Sequence, residues 1–221
     1  MPTEAQSIDR KVTDIFEDGA WSGQRCFLIG GGESLNGFDL NRLNGDKTIG
    51  INKSFIHYES SVVFVSDANF HYILETDTTL SPQWKSFKNP KLIVEPVSKR
   101  TTYENVHLIK RSKDLKLPRS LSEGINVWNN SGFGALVLAY LLGANPIYLL
   151  GYDMQCKEST HWHEGYPNQT VERQQSRMHA FMLPFTMLAA DFAERGVQVI
   201  NLTPNSALTC FCMQNCDIIL K

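Results

Sequence analysis

The strongest constraint on this chain is a series of short apolar runs, each closing on small or polar residues and set between helical patterns. They are RCFLIG (25–30), KTIGIN (47–52), SVVFVSD (61–67), KLIVEP (91–96), NVHLIK (105–110), PIYLLGYDM (146–154) and VQVINLTPNS (197–206). Each is too short for a helix and most are rich in Val and Ile, which predicts buried strands. Between them, Ala5, Ile8, Val12, Ile15 and Phe16 repeat at helical spacing and predict an amphipathic helix over 4–18. Further helices are expected over 36–44, 69–76, 130–144 and 170–196, the last bent at Pro184. Strands alternating with helices imply right-handed crossovers. The expected fold is therefore α/β and Rossmann-like, a mostly parallel sheet flanked by helices. A length of 221 residues fits a single domain spanning 1–221. Residues 153–170 form the longest stretch without a clear element, as functional or mobile loops do.

Charge and composition narrow the partners. A formal net charge of −2 argues against a nucleic-acid binder that works by neutralising phosphates, and no nucleic-acid partner is expected. The basic clusters KR (99–100) and KRSKDLK (110–116) read as solvated loop. No run is long enough to span a bilayer, so no transmembrane segment is expected, and the polar N-terminus does not resemble a secretory signal. Five cysteines without a paired pattern suit reduced thiols in a cytoplasm. In CFCMQNC, Cys210, Cys212 and Cys216 lack the C-x-x-C spacing that zinc favours, so buried thiols are expected there.

In an open parallel sheet, ligands bind beyond the carboxyl ends of the strands. The residues at those ends share a chemistry. They are Gly30, Gly31, Gly32 and Ser34 after the first strand, Asn52 after the second, Asp67 after the third, and Asp153 after the sixth. Asn205 and Ser206 follow the last strand, while Asn130, Ser131 and Gly132 open the helix before the sixth. Glycines let backbone N–H groups approach an anion, and a helix N-terminus adds partial positive charge. Asn52 and Asn130 can pair with base or ribose edges, and Asp67 can accept from ribose hydroxyls. Leu35 stands where G-x-G-x-x-G needs its third glycine, and no lysine follows as in a P-loop, so neither motif applies. Turn formation alone would favour the same residue types at any one position.

The loop YDMQCKESTHWHEGYPNQ carries His161 and His163. Imidazole suits a general base near neutral pH. The same pair can ligate a metal with Asp153, Cys156 or Glu164, or simply face solvent.

Taken in order, FLIGGGESL, GINKSF, NSGFGALVLAYLLGANPIYLLGYDM, the histidine loop and VINLTPNSAL resemble segments of the bacterial CMP-sialic acid-dependent sialyltransferases. They also resemble the related motility-accessory-factor family of flagellin glycosyltransferases, which includes an archaeal pterin pyrophosphokinase. The resemblance covers 26–67 and 129–210. It implies a nucleotide-sugar donor, CMP-type first, inversion at the anomeric carbon, and no required metal or cofactor. It further implies that the glycine turn meets the phosphate, that Asn52 lies near the cytidine and that Ser131 touches the nucleotide. Asn205-Ser206 matches the PNS after the last strand, and His161 or His163 acts as base. His163 is favoured as lying further into the loop, beside Glu164, with backbone donors at Gly31 and Gly32 stabilising the departing phosphate. No tyrosine follows Asp153 until Tyr166, which brings this stretch nearer the motility-accessory type. The expected function is transfer of a nucleotide-activated sugar to a glycan or protein hydroxyl. Its rivals are a Mg²⁺-dependent pyrophosphate transferase using Asp67 and Asp153, a metal-assisted hydrolase, and a nucleotide-binding protein without catalysis. The apolar stripe on 170–195 serves a core or a homo-oligomer equally well.

Overall fold

The apolar runs become strands because both of their faces can be covered. A computed structural model describes residues 10–96, 105–156, 159–163 and 170–220. The strands are β1 (Cys26–Ile29), β2 (Lys47–Ile51), β3 (Val62–Val65), β4 (Lys91–Val94) and β5 (Val106–Ile109). They are followed by β6 (Ile147–Leu150), β7 (Val199–Asn201) and β8 (Cys212–Met213). All pair in parallel in the order β5-β4-β3-β2-β1-β6-β7-β8. The helices are α1 (Ala68–Thr76), α2 (Leu80–Ser86), α3 (Ser131–Leu141), α4 (Val171–Glu194) and α5 (Cys216–Ile219). From β1 the chain builds outward to β5, and α3 then returns it to the far side of β1. The strand order therefore reverses between β1 and β6, where a parallel sheet leaves a crevice at its carboxyl edge.

Strand periodicity assigns β1 to two cores. Cys26 and Leu28 join the cluster under α3 and α4, with Phe133, Leu136, Phe185 and Phe192. Phe27 and Ile29 join Leu35, Leu43, Tyr148 and Leu150 on the opposite face. A third cluster packs Phe70, Leu74 and Trp84 of α1 and α2 on Val63, Val65 and Ile93. This double coverage explains why the runs read as continuous apolar stretches rather than alternating ones.

Several local expectations change. In place of the 4–18 helix stands one 3-10 turn, Val12–Asp14, with residues 1–9 outside the described set. Lys11 instead bridges to Leu108, so this segment runs along the β5 edge. Of the expected 36–44 helix only a 3-10 turn forms, Leu40–Leu43 behind the Asp39 cap, and Gly37 at φ 75° parts it from an earlier 3-10 turn, Glu33–Leu35. Unanticipated α2 starts where Asp77 accepts from the N–H groups of Thr79 and Leu80. Pro184 lies inside α4 without ending it. Of the stripe on α4, Phe185, Leu188 and Phe192 enter the core, while Leu183 and Met187 stay exposed. Cys26 is buried, but Cys210 and Cys216 are half-buried and Cys212 is exposed, because the last segment crosses the sheet edge; the expected burial there does not occur. No helix among the described residues is long and apolar enough to cross a membrane.

His71 of α1 is completely buried, and burial lowers its pKa from the ordinary 6.5 to about 4. It is therefore neutral at pH 7 although Glu75 lies 3.4 Å away. A depressed histidine leaves stability complete above pH 6.5 and removes it as pH falls through about 4. A shift of that size is worth about 3 kcal/mol in strong acid. His71→Gln should shrink the difference between urea midpoints at pH 7 and pH 4.5, whatever it does to stability at pH 7.

Candidate functional site

Where β1 and β6 end side by side, a cleft of about 1020 Å³ opens. Of the sequence-predicted residues it brings together Gly30, Gly31, Gly32, Asn52, Asp67, Asn130, Ser131, Gly132, Asp153, His161 and His163. Ser34, Asn205 and Ser206 are not on its wall.

The triple glycine is required by the protein's own backbone and side chains. A Cβ on Gly30 would sit 2.5 Å from the carbonyl oxygen of Gly151. One on Gly31 would sit 2.8 Å from Cδ2 of His161, and one on Gly32 would fall inside the carboxylate of Asp153. The N–H groups of Gly30 and Gly32 donate to the carbonyls of Leu150 and Gly151, both at 2.8 Å. These bonds continue the β1–β6 ladder past the strand ends. Of the two backbone donors expected to meet a phosphate, Gly32 is therefore engaged and only Gly31 has its N–H open. The turn also leads into a single 3-10 turn, Glu33–Leu35, which is too short to present a helix dipole.

Asp153 closes this layer. Its two carboxylate oxygens accept the N–H of Ser34 (3.0 Å) and the hydroxyl of Ser34 (2.7 Å). Burial raises the Asp153 pKa above the usual carboxylate range, the Ser34 bonds pull it back, and the charge of Glu33 adds to the rise. Asn205 and Ser206 work from behind. Ser206 Oγ donates to the Tyr152 carbonyl (2.5 Å) and accepts from Leu208 N–H, while the Asn205 carbonyl accepts from Gln155. They buttress the 151–153 segment from behind the cleft wall, and the hydroxyl hydrogen of Ser206 is spent within the protein.

The helix N-terminus that does face the cleft belongs to α3. Asn130 caps it by accepting from Phe133 N–H and anchors it to α4 by donating to the Phe181 carbonyl, so its amide is occupied structurally. Ser131 Oγ lies 2.7 Å from Ser66 Oγ. Asp67 caps α1 through one oxygen, accepting from Asn69 and Phe70. Asn52, at φ 52°, presents a buried Oδ1 that accepts no hydrogen bond from the described residues.

The two histidines lie on a strap, residues 159–163, clasped to the glycine turn. Trp162 donates through its backbone N–H to the Gly31 carbonyl (3.2 Å) and through Nε1 to the Gly30 carbonyl (3.0 Å). Ser159 donates through N–H and hydroxyl to one Glu33 oxygen. The His161 and His163 rings stack at 5.0 Å, 17° apart, and His163 is buried. Burial first, then the neighbouring charges of His163 and Lys53, lowers His161 to about 4, so it is a neutral proton acceptor at pH 7. Glu164, expected to orient His163, falls outside the described residues. Among the described residues, no three of His, Cys, Asp and Glu gather at metal-binding distance.

The structure adds residues that sequence reasoning missed. Arg111, from the run read as solvated loop, lines the cleft and donates to the carbonyls of Glu95 and Ser66. Gln174, Arg177 and Phe181 of α4 also line it. Their i, i+3, i+7 spacing marks one helical face, a signal obscured because its first turns are polar. Trp128 (φ 47°) and Asn129 (φ 55°) form a left-handed pair just ahead of the α3 cap, and both are on the wall.

No protein-family model matches the chain, and no curated protein matches it. Among solved structures it is similar to the MAf glycosyltransferase from Magnetospirillum magneticum AMB-1, with a TM-score of 0.58 and 10% identity over 90% of this chain. The chain spans only 35% of that protein's length. It is also similar to the sialyltransferase CstII from Campylobacter jejuni, solved with a substrate analogue, CMP-3FNeuAc. There the TM-score is 0.53 and the identity 16%, over 90% of this chain and 88% of that one. At these identities the shared property is the α/β fold.

The glycine geometry makes an ordered prediction. Gly30→Ala and Gly32→Ala push a Cβ into backbone carbonyl and carboxylate, and each should cost about 2 kcal/mol or more in urea unfolding. Gly31→Ala meets only the edge of a ring that can move, so its cost should be smaller, with displacement of His161 visible in that residue's NMR shifts.

Proposed function

We propose that the cleft binds a nucleotide-activated sugar and that the protein transfers the sugar to an acceptor hydroxyl. The observation that carries this reading is the meeting, at one switch-point cleft, of three features. They are the α3 N-terminus, the unpartnered Asn52 acceptor and a wall of two histidines. A nucleotide offers complements to the first two: phosphate oxygens for the helix start and Ser131, and a base amino or ribose hydroxyl for Asn52. Arg177 and the open N–H of Gly31 supply further donors for the phosphate. In this reading they meet the charge of the leaving group without a metal.

The chemistry follows from a neutral imidazole. His163 or His161 takes the proton of the acceptor hydroxyl, the acceptor oxygen bonds to the anomeric carbon from the opposite face, and the bond from that carbon to the phosphate oxygen breaks. The electron pair leaves on the phosphate, with inversion. The solved neighbour carrying CMP-3FNeuAc supports a CMP-type donor, and sialic acid or a related sugar is the specific proposal. Asp67 and Asp153, which a pyrophosphate transferase would need for Mg²⁺, already accept N–H bonds within the protein.

Thermal shift against CMP, UDP, GDP and ATP, each with and without Mg²⁺, tests the reading. Saturating CMP without Mg²⁺ at 100 times its Kd should stabilise by about 2.7 kcal/mol, several degrees in Tm for a chain this size. No response to any nucleotide sinks the proposal, and a response only to ATP with Mg²⁺ redirects it to pyrophosphate transfer. His163→Ala should lower transfer about 10²- to 10⁴-fold while CMP binding persists. With His161 as the base instead, kcat/KM should lose activity only as pH falls through about 4, where that ring gains its proton.

A further inference from the structure

The glycine turn and the histidine strap are joined by contacts that neither phosphate binding nor loop closure requires. Trp162 uses both of its N–H groups on consecutive carbonyls of the turn, those of Gly31 (3.2 Å) and Gly30 (3.0 Å). Its ring lies 4.8 Å from that of His57, just past the 3-10 helix Asn52–Ile56. Ser159, three residues before Trp162, donates twice to one oxygen of Glu33, at 3.1 and 3.3 Å. The single hydroxyl hydrogen is shared with the His161 carbonyl, which lies 3.1 Å away. Both ends of the short strap are therefore tied to residues 30–33, and His161 between them is pressed against the bare Cα of Gly31. A side chain at position 31 would occupy the space of that ring. The imidazole between the two ends of the strap is thereby restrained at the switch point, partly shielded from water on the cleft wall.

We propose that Glu33, Ser159 and Trp162 are positioning residues that clasp the His161–His163 pair onto the glycine turn, so that the turn acts as the seat of the general base as well as a wall of the donor site. The assignment of a base rests on the transferase reading above; the clasp itself does not. Glu33 acts through Ser159, and Trp162 acts through the backbone of the turn. Neither is assigned a contact with the reacting atoms. The glycine triplet thus has two separable duties: Gly30 and Gly32 fit the β1–β6 junction, and Gly31 fits the histidine.

Among the described residues, the charged and titratable groups acting on His161 include the stacked His163 and, at longer range, Lys53, while Glu33 is linked to it through Ser159. Releasing the strap exposes the ring to water, which removes the main cause of its lowered pKa.

Three variants test the clasp. Glu33→Ala removes the acceptor for Ser159. Glu33→Gln keeps an oxygen that can accept and serves as the conservative rescue. Trp162→Phe keeps a ring beside His57 but loses the bond to Gly30. His161 titration by NMR is read on each, together with CMP affinity, kcat and KM, after a urea midpoint confirms folding. In Glu33→Ala and Trp162→Phe, the His161 pKa should move from about 4 toward 6.5. In the same two variants kcat should fall about 10- to 100-fold, with CMP affinity within about threefold of the parent. Glu33→Gln should stay near the parent in both. An unchanged His161 titration in Glu33→Ala and Trp162→Phe overturns the clasp, as does a fall in kcat that Glu33→Gln fails to rescue. If the parent protein binds no nucleotide and transfers no sugar, the transferase reading fails, and the NMR titration alone still decides the clasp.

Discussion

The site depends on the way β1 and β6 stay hydrogen-bonded after both have ended. The N–H groups of Gly30 and Gly32 reach the carbonyls of Leu150 and Gly151, and this draws the two turns together more closely than side chains allow. A parallel sheet normally opens a crevice at its switch point because the chains leaving adjacent strands diverge. Here they diverge only after a shared layer of bare backbone, into which Asp153 and Ser34 lock. Beyond that layer the chain from β1 enters the 3-10 turn Glu33–Leu35, and Leu35 joins the core. The cleft floor is therefore held together by the protein's own hydrogen bonds, independently of any ligand.

A second property of the site is conformational strain. Four of the six described non-glycine residues at positive φ, Asn52, Trp128, Asn129 and Met154, lie on the cleft wall. Each such residue costs of order 1 kcal/mol or more and persists only where surrounding structure over-determines it. The supports are visible. Trp128 N–H is held by Asn126 Oδ1, and Asn130 N–H by the Val127 carbonyl. The outcome is a sharp reversal that delivers the α3 N-terminus edge-on to the cleft. Asn52 makes a comparable reversal after β2 and leaves its amide oxygen facing no donor among the described residues.

Much of this was legible in advance, for identifiable reasons. Strands buried on both faces must be apolar along their whole length, so β1 to β7 announced themselves. Residues at strand ends share one edge in a parallel sheet, which is why reading only the ends of CFLI, KTIGI and IYLL found Gly30, Gly31, Gly32, Asn52 and Asp153 on the cleft wall. Arg111 was missed because it sits in a basic run whose other members are solvated, and nothing local distinguishes it from Lys110 or Lys113. Ser206 was placed in the site by its position, whereas its hydroxyl turned out to serve Tyr152 and Leu208. The same residue types make turns and bind ligands, because both tasks need small donors and acceptors next to exposed backbone.

Taken alone, the sequence determined that the chain is an α/β sheet protein and that its polar residues gather at the carboxyl edge, since periodicity and strand-end chemistry are local properties. It also established that the backbone at GGG must come close to something. Only the tertiary structure decided what that something is: the Gly151 carbonyl, the Asp153 carboxylate and the His161 ring, from segments more than a hundred residues away. A bare Cα records that space is needed but carries no information about its occupant. That identity depends on which strand lies beside β1, and strand order is a property of the whole sheet rather than of any residue in the turn.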